Sequence, residues 1–106
     1  SSMWGQTGGS CEAAYSASKA AVIGLTRALA KEVGPSGVRV NCVAPGVIST
    51  DMNRSLSEAD FAALREETPL GVIGSPEETA DAIWYFTACA SFVTGQVLGV
   101  NGGMVI

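Results

Sequence analysis

Tyr15 and Lys19 are the pair in this chain whose types and spacing most directly suggest chemistry. Two side chains four residues apart on a helix share one face. An ammonium close to a phenol favours the phenolate form that acid/base work requires. Alone the pair is weak evidence, because an ordinary exposed Tyr and Lys on a helix can fall at this spacing. What the chain lacks narrows the choice. Histidine is absent, which removes Ser-His-Asp catalysis, Cys-His catalysis and the commonest metal ligand together. Cys11, Cys42 and Cys89 have neither metal-type nor redox-type spacing, so they read as reduced, mostly buried thiols, and no metal site is expected. Proton transfer then falls to Tyr, Lys, Ser or a carboxylate.

The elements that must hold such a pair follow from periodicity and breakers. Residues 1–10 are rich in Gly and Ser and read as a loop. From Glu12 to Val33, Ala14, Ala17, Ala21, Leu25, Ala28 and Leu29 recur at three- and four-residue steps, which predicts a helix. Gly34-Pro35 ends it. The β-branched run Val38–Ala44, bounded by Gly37 and Pro45-Gly46, predicts a strand. Ser57 caps a second helix to Glu67, with Phe61, Leu64 and Ala62 facing inward. Ser75-Pro76-Glu77-Glu78 opens a third helix to about Ala90, packed through Ala80, Ile83, Trp84 and Phe86. Gln96–Val100 is a second strand, closed by the turn Asn101-Gly102-Gly103. Strand, helical crossover and strand make a βαβ unit, hence an α/β fold with parallel, right-handed pairing. Two apolar parallel strands need cover on both faces, so the sequence reads as part of a larger sheet.

Composition bounds the function. With 47% apolar and 15% charged residues the chain is globular rather than disordered. Its net charge of −4 and six scattered basic residues argue against nucleic acid. No apolar run approaches the roughly 20 residues of a membrane helix. The opening Ser1–Gly5 lacks the basic start of a secretory signal, so a cytoplasmic protein is expected.

Ser2 precedes Tyr15 by thirteen residues at the head of the glycine-rich loop, and the arrangement resembles the Ser…Tyr-x-x-x-Lys signature of the classical short-chain dehydrogenases/reductases. The likeness extends along the chain. Tyr15–Ala21 is similar to that family's catalytic helix, and Val38–Gly46 to its sixth strand and following Pro-Gly turn. Pro69-Leu70-Gly71, Ser75–Glu78 and Thr94–Gly103 are similar to its terminal section. The resemblance implies the C-terminal part of a doubly wound, Rossmann-like parallel-sheet domain, with two strands and about three helices in residues 1–106. It implies hydride transfer between NADP or NAD and a carbonyl or alcohol. Tyr15 then acts as the general acid or base, Lys19 holds the nicotinamide ribose, and Ser2 hydrogen-bonds the substrate oxygen. Tyr15, Lys19, Pro45, Gly46, Val47, Ile48 and Thr50 contact the cofactor, the loop meeting the nicotinamide carboxamide at the carboxyl end of its strand. By its residues alone, Pro45-Gly46 could equally be a plain turn. Arg39, Asn41 and Asp51 read as structural, and Met52–Thr68 occupies the family's mobile substrate cover.

The run Pro45–Met52 and the ending Thr94–Gly103 most resemble the 3-oxoacyl-(acyl-carrier-protein) reductases. A sugar or polyol dehydrogenase is the alternative within the family, and a non-catalytic assembly fragment the alternative outside it. The expected substrate is a small or carrier-bound carbonyl compound. Relative to the family, the glycine-rich cofactor loop and the residue that selects NAD or NADP lie outside this sequence, which spans about the last two-fifths of the usual length. The expectation is a fragment, inactive alone, that forms homo-oligomers or pairs with an N-terminal half.

Overall fold

The computed structural model describes residues 1–106, except the side chain of Met52, which belongs to the expected substrate cover and lies outside the described residues. The element order is α1 (Met3–Thr7), α2 (Ala13–Val33), β1 (Cys42–Pro45), α3 (Glu58–Glu67), α4 (Pro76–Trp84) and β2 (Val97–Val100). β1 and β2 pair in parallel, Cys42 opposite Val97 through Pro45 opposite Val100, as the βαβ pattern requires.

The glycine-rich opening is not all loop. Ser2 caps a five-residue helix by accepting from the Trp4 nitrogen at 3.3 Å, and Gly8 ends it at a φ of 78°. The interval between cap and glycine is one helical turn, short enough to be missed by periodicity. α1 lies against α2 at Gly5, where a Cβ would come within 2.8 Å of the Lys19 carbonyl carbon and 2.9 Å of its Cβ. Only a glycine permits that approach. Behind α1, the Gly9 nitrogen donates to the Ser16 hydroxyl at 3.0 Å, tying the loop to α2.

α2 follows its alanine pattern, burying Ile23, Thr26 and Ala30, then tightens into a 3₁₀ turn over Gly34–Ser36 and reverses at Gly37, whose φ is 75°. The ladder of β1 begins four residues later than the β-branched run suggests. Residues 38–41 face a turn, so side chains and two backbone bonds hold them, one from the Val38 nitrogen to the Val33 carbonyl at 3.4 Å. The Thr94 hydroxyl accepts from the Val40 nitrogen at 3.0 Å, and the Asn41 amide donates to the Val93 carbonyl at 2.8 Å. The Gly95 nitrogen reaches the Val40 carbonyl at 2.7 Å. Arg39 donates to the Phe86, Ala90 and Thr87 carbonyls, completing the end of the α4 segment. Both residues are structural, as their sequence context suggests.

α3 and α4 each begin with a capping box, Ser57 with Asp60 and Ser75 with Glu78. α4 passes into a π-helical turn at Tyr85–Cys89 rather than running on as α-helix to Ala90. The core is narrow: Met3, Ile23, Ala30, Cys42, Ala44 and Ala90 are the buried apolar residues. None of the four packing residues expected on the third predicted helix is in it: Phe86 is half-buried and Ala80 exposed. Ile83 is 53% exposed and Trp84 66%, because a two-stranded sheet is too narrow to cover that much of α4. Of the cysteines only Cys42 is buried, while Cys11 and Cys89 are exposed free thiols on a turn and at a helix end.

Candidate active site

A cleft of about 730 Å³ opens at the carboxyl end of β1, within the size range of small-molecule sites. Ser2, Tyr15, Lys19, Pro45, Gly46, Val47, Ile48 and Thr50 all line it. Residues singled out along nearly half of the sequence therefore meet in one place.

Three local devices assemble them. Ser2 is 7% exposed and fixed as the cap of α1, where its oxygen accepts from the Trp4 nitrogen and its hydroxyl proton is left for another acceptor. Tyr15 and Lys19 stand one turn apart on α2, with the Lys19 Nζ 5.4 Å from the centre of the tyrosine ring. The Lys19 ammonium has no hydrogen bond or ion pair among the described residues, so its donors are available to a ligand. The Ser1 hydroxyl donates to the Lys19 carbonyl at 2.8 Å, which with Gly5 locks α1 to this turn of α2.

The loop after β1 is held by backbone contacts. The Gly46 nitrogen donates to the Val100 carbonyl at 2.9 Å, and a Cβ at Gly46 would come within 2.7 Å of the Asn101 Cβ. The Gly74 nitrogen donates to the Val47 carbonyl at 3.1 Å, and the Ser49 nitrogen to the Gly74 carbonyl at 2.8 Å. Asn53 donates to the Ile48 carbonyl at 2.5 Å. Pro45-Gly46 is thus packed against the end of β2, while Val47 and Ser49 tie the same wall of the cleft to the segment that leads into α4. Asp51 pairs with Arg54 at 2.7 Å on the surface and does not line the cleft.

Sequence reasoning passed over Ser1, Met3, Trp4, Glu12, Pro76 and Thr79, which also line the cleft. Trp4 lies across the loop, its ring within 2.9 Å of where a Gly9 Cβ would stand. Of the expected substrate cover, Leu56 and Leu64 reach the cleft but Phe61 is not among its lining residues. Asp60, whose carboxyl is held below the ordinary range by the Ser57 hydroxyl and then by the Ser57 backbone N–H, belongs to the α3 cap and not to the site. Among the described residues no cluster of three or more His, Cys, Asp or Glu could hold a metal ion, and no helix is long and apolar enough to cross a membrane.

Residues 1–105 match the family model described as enoyl-(acyl carrier protein) reductase. A 3-oxoacyl-(acyl-carrier-protein) reductase of Aquifex aeolicus is 49% identical over 105 residues, covering 98% of this chain and 42% of that protein. Among solved structures, a short-chain dehydrogenase/reductase of Brucella melitensis described as glucose/ribitol dehydrogenase aligns at a TM-score of 0.93 and 38% identity, over 100% of this chain and 43% of its own. A 3-oxoacyl-(acyl-carrier protein) reductase with bound NAD from the same organism aligns at 0.87 and 39% identity, over 100% of this chain and 39% of its own. The chain spans about two-fifths of the length of the curated relatives it matches.

Proposed function

This chain belongs to the short-chain dehydrogenase/reductase family, and from that premise we propose that it forms the catalytic part of a nicotinamide-dependent oxidoreductase interconverting a carbonyl and an alcohol. The observation that carries the proposal is the convergence of Ser2, Tyr15, Lys19 and the loop Pro45–Thr50 on one cleft. The fit to the cofactor rests on the same cleft. It lies at the carboxyl end of a parallel strand and contains an ammonium with unspent donors, which suit the hydroxyls of a ribose. When bound, NADP or NAD supplies or accepts the hydride.

The chain's own residues manage the oxygen and its proton. In reduction Tyr15 gives its phenolic proton to the substrate oxygen, and in oxidation it takes that proton back. Lys19 binds the ribose, its Nζ standing 5.4 Å from the centre of the Tyr15 ring. Ser2 donates to the same oxygen as negative charge develops there. Because its own oxygen is already engaged by the Trp4 nitrogen, the hydroxyl is held in orientation before substrate arrives.

For the substrate we propose a 3-oxoacyl group carried on acyl carrier protein, the reading supported by the relatives of that name. A sugar or polyol is the second reading, supported by the glucose/ribitol dehydrogenase alignment. The assembly is part of the proposal. The edge of β1 away from β2 carries one backbone bond among the described residues, from the Ser1 nitrogen to the Val43 carbonyl at 2.9 Å. Such an edge suits further parallel strands of a larger sheet, or a second copy of the chain. A thiol-preserving cytoplasmic setting agrees with exposed free Cys11 and Cys89. The test uses the full-length protein, since this chain is expected to be inactive without an N-terminal half, and follows nicotinamide absorbance with a 3-oxoacyl thioester and with a polyol, each with NADPH/NADP and NADH/NAD. Turnover of the thioester alone supports the first reading, turnover of the polyol alone the second. No hydride transfer to or from either would refute the proposal.

A further inference from the structure

Not every polar side chain that lines the cleft is free to meet a ligand. Asn53 gives its amide to the Ile48 carbonyl, and the Thr79 Oγ1 is closed off from solvent without a partner among the described residues. Glu12 is the charged exception, one turn before Tyr15. Beside Asn53 and Thr79 the lining is apolar. Trp4 comes from α1, Leu56 from the approach to α3 and Leu64 from α3 itself.

Trp4 is the rigid member of this surface. Its backbone nitrogen donates to the Ser2 hydroxyl oxygen at 3.3 Å, and its carbonyl accepts from the Gly8 nitrogen at 2.8 Å. A Cβ on Gly9 would stand 2.9 Å from the Trp4 Cδ2 and 3.2 Å from its Cε2, so the indole closes over backbone where any side chain would push it away. An aromatic group already held in place loses little freedom when an apolar chain packs against it. Trp4, Leu56 and Leu64 are all half-buried, so each keeps surface that a ligand can cover. Ser2 and Trp4 both reach the cleft from the first turn of α1. A substrate oxygen held by Ser2 therefore brings the adjoining carbon chain to the indole.

We propose that Trp4 is a specificity-determining residue, selecting with Leu56 and Leu64 a substrate whose carbonyl carries an apolar chain. Longer 3-oxoacyl groups are then favoured over the shortest and over polyols. This rests on the carbonyl–alcohol reading above and decides between its two substrates. A polyol would set hydroxyls against surface that cannot hydrogen-bond them. Each methylene packed on the same surface leaves water instead.

The experiment uses the full-length protein and a series of 3-oxoacyl thioesters of N-acetylcysteamine, from acetoacetyl to 3-oxooctanoyl, with sorbitol in the oxidising direction. It measures kcat/KM for wild type, Trp4→Ala and Trp4→Phe. In wild type, kcat/KM should rise about fourfold for each methylene that reaches the indole. Trp4→Ala should flatten the rise to about twofold or less over the whole series, while Trp4→Phe, which keeps an aromatic ring, should retain most of it. The slope separates specificity from structure, because a Ser2 displaced along with α1 would slow every thioester by the same factor. Should Trp4→Ala not fold, Leu56→Ala carries the same comparison from the other side of the chain. A wild-type series without a rise, or a rise unchanged in the alanine variant, would overturn the proposal. Turnover of sorbitol and of no thioester would also overturn it, while leaving the oxidoreductase reading in place. Turnover of neither would remove that reading itself, and the role of Trp4 with it.

Discussion

Replacing Gly5 with alanine puts a methyl group where α1 rests on α2. The new Cβ would stand 2.6 Å from the Ser1 Oγ, 2.8 Å from the Lys19 carbonyl carbon and 2.9 Å from the Lys19 Cβ. The serine oxygen can rotate away, but the Lys19 carbonyl carbon is helix backbone and cannot. Carbon atoms settle at roughly 3.5–4.0 Å, so α1 must retreat by roughly 0.7–1.2 Å, or α2 must bend. Overpacking of this kind costs about 1–3 kcal/mol of stability. The consequence for function is larger than for folding, because Ser2 is the cap of α1 and travels with it, whereas Tyr15 and Lys19 stay on α2. A misplacement of ~1 Å between cooperating groups can cost about 10²-fold in rate. We therefore expect Gly5→Ala to lower kcat by one to two orders of magnitude with only a modest change in nucleotide affinity, since Lys19 remains in place. Steady-state kinetics and nucleotide titration on one preparation, with a melting curve to confirm folding, separate the two effects. A folded Gly5→Ala protein with wild-type kcat would refute the claim that the α1–α2 contact sets the position of Ser2.

In the full-length protein Tyr15→Phe should preserve the fold and lower carbonyl reduction by about 10²–10⁴-fold, the usual share of a proton donor; steady-state rates equal to wild type would remove Tyr15 from that role. Lys19→Met should weaken nucleotide binding as well as turnover, because the ammonium serves ribose and tyrosine together, and a titration with unchanged affinity would count against the ribose contact. The start of α3 should loosen in acid. Asp60 is depressed in the folded protein by the Ser57 hydroxyl and backbone N–H, so its contribution is present above the ordinary aspartate range and is lost as pH falls through the folded value. Amide exchange at Ser57 and Asp60 should accelerate over that interval in wild type and show no such step in Asp60→Asn; an identical acid profile in both would rule out this cap as the cause.

Much of this architecture is local and therefore legible in the chain. The alanine spacing of α2, the Ser-Pro-Glu-Glu start of α4 and the strand at Val97–Val100 depend on neighbours within a turn or two, and each forms where its pattern says. The residues of the candidate site were legible for a different reason, since Ser2, Tyr15, Lys19 and Pro45–Thr50 form a pattern of types and order that resembles a known family. Folding decided what depends on distant partners. β1 starts at Cys42 and not Val38 because residues 93–96 turn instead of offering a strand. Ile83 and Trp84 stay exposed because the width of the sheet, not the helical period, limits how much of α4 can be covered. Gly5 looks like one glycine among several until α2 is seen against it. Thr79 reads as an ordinary helical threonine, and only the tertiary structure reveals a buried hydroxyl left unpaired beside the cleft. A sequence records which groups are present at which intervals, whereas burial and the hydrogen bonds left unmade depend on the whole chain packed in three dimensions.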